Sequence, residues 1–238
     1  MASTFLSQTK LVIFDVDGVI FDIIDAIRDT VKTGMEKYQL QLDFQEAMEE
    51  VSRTLEIVQT MPIPQMILNA NEVLNIKLLE GKTVLQKLRI GGSFYGDYRS
   101  RKASCRIFPG IKEILAKLYA EGFKCAILSN NKRSYVLDAL AKEDLAKYFS
   151  QILGFNEVTH TKPHPEGLLK ILALEQCPPE QAIFIGDMPT DIQAGNNARL
   201  RTVAVTSGLS SKTKLAAQNP TRVVENIQEL HDLFFASP

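Results

Sequence analysis

The stretch LVIFDVDGVIFD, Leu11 to Asp22, decides how this chain is read. Four apolar residues, Leu11–Phe14, run without alternation into Asp15, and Asp17 and Gly18 follow. A continuous apolar run of that length suits a strand buried on both faces of a parallel sheet. Two acids at the tip of such a strand are costly unless the tip does chemistry. Three similar runs follow: Cys125–Leu128 ends at Ser129, Ala182–Ile185 ends at Gly186-Asp187, and Thr202–Val205 leads into Ser207–Lys214, read as a polar loop.

Helical spacing fills the intervals. Pro109-Gly110 opens a pattern of Ile111, Ile114, Leu115 and Leu118 that Gly122 closes, with proline at the start and glycine past the end. A second pattern, Leu168 to Leu172, follows Pro165, and a third begins at Thr190. Strand alternating with helix predicts an α/β layer, a doubly wound parallel sheet of Rossmann-like type. The interval from Phe21 to Arg101 differs. Ile23, Ile27, Val31, Met35 and Tyr38 recur at helical spacing, as do Phe44, Met48, Val51, Leu55 and Val58. Val73–Leu79 and Val84–Leu88 continue the trend beyond Pro62 and Pro64. The expected organisation is an α/β domain from residues 1–20 and 102–238, with an all-helical domain, 21–101, inserted after the first strand.

Composition narrows the function. Of 238 residues, 45% are apolar, enough for a sizeable core. Lys+Arg (27) and Asp+Glu (28) balance to a net charge of -1, which argues against a nucleic-acid footprint or an anionic membrane surface. No run reaches the roughly 18 apolar residues of a membrane span. MASTFLSQTK lacks a long apolar segment, so a cytoplasmic protein without a signal peptide is expected. Cys105, Cys125 and Cys177 form no CxxC pair and fit a reducing compartment.

The strand ends carry the chemistry. In an open α/β sheet, ligands bind beyond the carboxyl ends of the strands. Asp15, Asp17, Ser129 and Asp187 all fall there. Converging carboxylates call for a cation, and all-oxygen donors suit Mg²⁺. One carboxylate can attack phosphorus, and a second, two residues on, can protonate a leaving oxygen and later deprotonate water. Ser129 can donate to a phosphate oxygen, Lys162 can neutralise the transferring group, and Gly18 lets the backbone turn tightly at the acids.

These residues stand in motifs that resemble the haloacid dehalogenase-like (HAD) hydrolases. FDVDGVIFD is similar to the family's strand followed by DxDG. ILSNN (Ile127–Asn131) resembles its strand ending in Ser or Thr. Lys162-Pro163-His164-Pro165 matches its lysine in a KPxP setting, and IGDMPTDIQAG (Ile185–Gly195) its GDxxxD followed by AG. The resemblance implies Asp15 as nucleophile and Mg²⁺ ligand. It implies Asp17 as acid/base, ligating Mg²⁺ through its backbone carbonyl. Ser129 and the Asn130 amide would bind phosphate, Lys162 would bridge phosphate and nucleophile, Asp187 would ligate the metal, and Asp191 would support the metal shell or Lys162. An aspartate at position 17 argues against dehalogenase chemistry. The helical insert resembles the small cap of the branch that includes phosphoglycolate phosphatase and β-phosphoglucomutase. Its middle, VSRTLEIVQTMPIPQMI, lacks the glycine of the usual specificity loop, and Arg53 and Lys77 are candidate substrate contacts or solvated helix faces.

The expected activity is a Mg²⁺-dependent phosphatase acting on a small phosphorylated metabolite through an aspartyl-phosphate. Phosphoglycolate leads, with sugar phosphates and nucleotides beside it. The alternatives are a phosphomutase of the β-phosphoglucomutase type and a silent HAD-fold binding protein. A monomer and a homodimer both fit the balanced charge and the Phe234-Phe235 pair. His160 and His164 flank Lys162 with no third ligand visible for a metal, Cys125 reads as a small core residue, and His231 lies in a C-terminal helical pattern.

Overall fold

A computed structural model describes residues 3–60 and 75–236. The chain forms two compact units, Met1–Asp22 with Arg106–Pro238, and Ile23–Cys105.

The first unit is an α/β layer. Its strands are β1 (Leu11–Phe14), β2 (Lys124–Leu128), β3 (Phe149–Leu153), β4 (Ala182–Gly186), β5 (Arg201–Val205) and β6 (Arg222–Val224). They form one parallel sheet in the order β3-β2-β1-β4-β5-β6. The connections carry α4 (Ile111–Ala120), α5 (Arg133–Lys142), α6 (Glu166–Glu175), α7 (Pro189–Asn197), α8 (Lys212–Ala216) and α9 (Ile227–Phe235). The numbers α1 to α3 belong to the second unit. Every side chain of β1 is fully buried, as are Ile183, Phe184 and Ile185 of β4. Leu11 and Ile13 pack in one cluster with Leu128, Phe184 and the buried face of α6, Leu168, Ile171 and Leu172. Each such side chain contributes roughly 1.5–3 kcal/mol of burial.

Two strands lack the continuous apolar run that marks the others. β3 (FSQIL) carries Ser150 and Gln151 in its middle and is half open to solvent, because it is an edge of the sheet. β6 (RVV) is the other edge and has only three residues. Edge strands need no continuous apolar run, so that signal misses them. The stretch read as a polar loop, Ser207–Lys214, is a loop only as far as Ser211, which caps α8 by accepting a hydrogen bond from the Lys214 amide.

The order of connections places the site. The chain moves outward from β1 through β2 to β3, then returns to the other side of β1 for β4. The reversal opens a crevice at the carboxyl ends of β1 and β4. Phe14 pairs with Ile185, and the Asp15 amide donates to the Ile185 carbonyl at 2.9 Å, so Asp15 leaves the sheet beside Gly186-Asp187.

The second unit contains α1 (Ile24–Tyr38), α2 (Phe44–Thr60) and α3 (Val84–Lys102), with a 3₁₀ turn at Lys77–Leu79. No strand occurs among its described residues. Ile27 and Val31 are buried on α1. Gly34 of the same helix lies so close to the Phe94 ring of α3 that a Cβ would stand 2.2 Å from it. The helical expectation for Val84–Leu88 extends to Lys102, started by a capping box between Thr83 and Gln86. The helix expected over Val73–Leu79 is only a 3₁₀ turn in its described part, and Val73 lies outside the described residues. Pro62, Pro64 and the stretch Met61–Ile67 of the atypical loop also lie outside them. Arg53 falls within α2, and Lys77 is exposed.

Candidate active site

At the tip of β1, Asp15 is 6% exposed and meets Lys162, which is 3% exposed. Lys162 Nζ donates to Asp15 Oδ1 at 2.8 Å and lies 2.6 Å from Asp191 Oδ1. The ammonium also sits 5.7 Å above the Phe184 ring of β4. Asp191 is in the first turn of α7, where its Oδ2 accepts the Met188 amide at 3.0 Å. Burial works against the charge of Lys162, but Asp15 and Asp191 outweigh it and hold the lysine above its ordinary value. For Asp15, burial is the largest influence. Lys162 pulls downward and Asp191 upward, and the carboxyl ends pushed up to about 7.

Asp187, just past β4, is held from three sides. Its Oδ2 accepts the Leu209 amide at 3.1 Å. A Cβ on Gly18 would stand 2.2 Å from that oxygen, and one on Gly208 would stand 1.8 Å from it. Gly18 also has φ +78°, the left-handed region that favours glycine. Ser207 Oγ donates to the Gly18 carbonyl at 3.0 Å, so the 207–209 loop and the β1 tip clamp one carboxylate. Burial, then Asp191 and Asp15, raise the Asp187 carboxyl well above the usual range.

Asp17 points elsewhere. Its Oδ2 accepts the Asn131 side-chain amide at 2.9 Å, and the same amide nitrogen lies 3.1 Å from Ser129 Oγ. The Asn131 backbone amide donates to Ser129 Oγ as well, at 3.1 Å. Ser129 is 2% exposed at the end of β2, and Asn130 follows it, half-buried. Ser129, Asn130 and Asn131 do not cap the next helix. The N-cap of α5 is Lys132 with no side-chain cap, and the Arg133 amide is taken by Asn156 Oδ1 at 3.0 Å.

One buried ammonium therefore faces three buried carboxylates, those of Asp15, Asp187 and Asp191, whose oxygens lie within 4.8 Å of one another. Asp191 is occupied by Lys162, whereas Asp187 Oδ1 is buried with no hydrogen-bond partner. Excess negative charge, an orphaned oxygen and an all-oxygen donor set fit a hard divalent cation.

The structure thus brings together Asp15, Lys162, Asp187 and Asp191 directly, and Asp17 and Ser129 through Asn131. Three contributors lacked a sequence signal for their role: Asn131, whose two partners come from different strands, and Gly208 and Leu209, which looked like loop. Cys125 is buried, with its thiol pushed up to about 12, and is inert. His231 is partly buried on α9, with Nε2 2.7 Å from Lys117 Nζ.

Comparison with known proteins agrees with this geometry. Residues 12–205 match the family model of the haloacid dehalogenase-like hydrolases. A phosphoglycolate phosphatase of Salmonella paratyphi A is 33% identical over 124 residues, 52% of this chain and 49% of that protein. The chain thus spans about half the length of that relative. One from Pseudomonas fluorescens is 24% identical over 93% of this chain and 78% of its own. A solved structure described as a predicted phosphoglycolate phosphatase from Haemophilus somnus superposes with a TM-score of 0.72 at 19% identity, covering 96% and 99% of the two chains. A HAD-superfamily hydrolase from Geobacter sulfurreducens gives 0.63 at 25% identity, covering 95% and 96%. With its model matched over most of its length and the four motifs gathered at one strand-end crevice, the chain belongs to the haloacid dehalogenase-like hydrolase family.

Proposed function

We propose that this protein is a phosphatase of small phosphomonoesters that works through an aspartyl-phosphate on Asp15 and requires Mg²⁺. The observation that carries this reading is the buried Lys162 bridge between Asp15 and Asp191, beside the unpartnered oxygen of Asp187. Asp15, Asp187 and the Asp17 carbonyl would hold the cation, which supplies positive charge against the carboxylates and against the transferring phosphoryl group.

The remaining roles follow from the chain itself. Asp15 attacks phosphorus, and the bond from phosphorus to the ester oxygen breaks. Asp17, kept off the cluster by Asn131, gives its proton to that leaving oxygen. Water then attacks the aspartyl-phosphate. Asp17 takes the water's proton, phosphate leaves, and Asp15 is restored. Ser129 Oγ and the Asn130 amide would donate to phosphate oxygens, and Lys162 stabilises the charge that builds on them. The 33%-identical relatives named phosphoglycolate phosphatase make a two-carbon phosphoester the leading substrate, followed by sugar phosphates and nucleoside monophosphates. We place the protein in a reducing cytoplasm, in keeping with cysteines that are few, far apart in sequence and without a CxxC pair. Among the described residues, no helix is long and apolar enough to cross a membrane.

The test is phosphate release from a panel of small phosphoesters, with and without Mg²⁺, for the parent protein and Asp15→Asn. Release from one compound well above the rest, lost on chelation and in the variant, supports the reading. No release from any compound by folded, Mg²⁺-loaded protein overturns it. Conversion of a hexose 1-phosphate to its 6-phosphate without release would instead identify a mutase.

A further inference from the structure

The segment that delivers Lys162 carries a second set of donors that phosphoryl transfer does not use. His160 and His164 flank the lysine and are exposed. Glu166, the first residue of α6, lies against both. Its Oε1 accepts the Thr159 amide at 2.7 Å, and its Oε2 accepts the His160 amide at 3.0 Å. The same Oε2 is 3.0 Å from His160 Nδ1. The two imidazoles are 4.6 Å apart, and His164 Nδ1 accepts the Glu166 amide at 3.2 Å. One donor atom from each of the three residues lies within 4.8 Å of the other two. The sequence offered two histidines without a third ligand; the turn into α6 supplies it.

We propose that His160, His164 and Glu166 form a second metal site, separate from the carboxylate cluster, that takes a borderline transition metal of the Zn²⁺ class. The donor chemistry separates the two sites. Two imidazoles and one carboxylate suit Zn²⁺, Co²⁺ or Ni²⁺, whereas an all-carboxylate cluster suits Mg²⁺. The spacing fits too. With zinc bonds of about 2.0–2.1 Å, neighbouring donors of a tetrahedral shell stand about 3.3 Å apart. His160 Nδ1 and Glu166 Oε2 are already 3.0 Å apart, so an ion takes the place of the proton between them. The two backbone amides on Glu166 fix its carboxylate, the supporting role that outer hydrogen bonds play in metal sites. His164 joins by turning an exposed ring, at the expense of one long hydrogen bond. Solvent completes the shell. An ion held here ties residue 160 to residue 166 across Lys162 and stiffens the segment that presents the lysine.

The test uses the whole protein in excess Mg²⁺, which keeps the carboxylate cluster occupied, and needs no turnover. Zn²⁺ is titrated calorimetrically and Co²⁺ by its visible absorption, for the parent, His160→Ala, His164→Ala and Asp187→Asn. The expected result is one Zn²⁺ per chain, a Co²⁺ band of a low-coordinate, nitrogen-ligated ion, and at least about tenfold weaker binding in each histidine variant. Asp187→Asn should bind Zn²⁺ as the parent does. No saturable Zn²⁺ uptake in excess Mg²⁺ overturns the proposal. So does uptake that Asp187→Asn abolishes and His160→Ala leaves unchanged, because the ion then sits among the carboxylates.

Discussion

The two units of this chain deal with charge and apolar surface in opposite ways. The α/β unit concentrates polar groups in its interior: Asp15, Ser129, Lys162, Asp187 and Asp191 are all buried near the ends of three strands. Partners from other elements hold most of these groups there: Lys162 with Asp15 and Asp191, the Leu209 amide with Asp187, and Asn131 with Ser129. The helical unit does the reverse. Its α3 exposes Val84, Leu85, Leu88 and Tyr95, with Leu85 at 78%. Among its described residues the buried polar groups Thr30, Glu50 and Lys87 make isolated local bonds, as when Glu50 accepts the Lys77 amide at 3.2 Å. The lesson is that the α/β unit gathers its buried charge at one strand-end crevice, whereas the helical unit leaves apolar side chains of α3 exposed.

The largest test of that contrast removes the nucleophile we propose. Asp15→Asn should lower kcat by at least about a thousandfold, read by phosphate release, while circular dichroism stays the same. Retention of parent-like turnover would move the chemistry away from the β1 tip. Next in size is a methyl group in the clamp. Gly208→Ala forces a carbon into Asp187, and a displaced carboxylate should cost about a hundredfold in kcat, with a higher Mg²⁺ requirement. An unchanged Mg²⁺ titration would mean that Asp187 holds no cation.

A third test is thermodynamic. Asp15 and Asp187 have raised pKa values in the metal-free fold, so between the ordinary 3.8 and about 7 the folded chain binds more protons than the unfolded one. Stability from these groups is therefore complete below the ordinary value and is lost as pH rises toward 7. Urea titrations in a chelator should show metal-free protein measurably less stable at pH 7.5 than at pH 5. Mg²⁺ should remove the slope, and Asp187→Asn should reduce it. Stability that rises with pH in chelator would contradict the crowded-carboxylate picture. The smallest effect belongs to the helical unit: Leu85→Glu on exposed α3 should change stability by less than about 0.5 kcal/mol, and a larger loss would show that the residue is packed in solution.

How far the sequence could be read follows the same contrast. The central strands were legible because both faces are buried, and a run such as Leu11–Phe14 has no other use. The acids were legible because Asp15, Asp17, Asp187 and Asp191 sit at fixed offsets from those runs. The edge strands were not, since Phe149–Leu153 and Arg222–Val224 need only partial burial. Asn131 joins Asp17 to Ser129 across two strands, and Leu209 reaches Asp187 from a loop after β5; neither contact leaves a local pattern. Glu166 was hidden for a related reason. It looks like an ordinary acid in a first helical turn until the turn folds it back on His160.

The central position of β1 also matters while the chain is being made. β1 leaves the ribosome well before β2 and β4, which come to lie on either side of it. Its acids then wait for Lys162, and Asp187 waits for the Leu209 amide. Contacts so distant in sequence form slowly and late. A nascent chain that has not yet reached Leu209 therefore carries Asp15 and Asp187 without their finished surroundings, and the crevice takes shape only once the strands on both sides of β1 are in place.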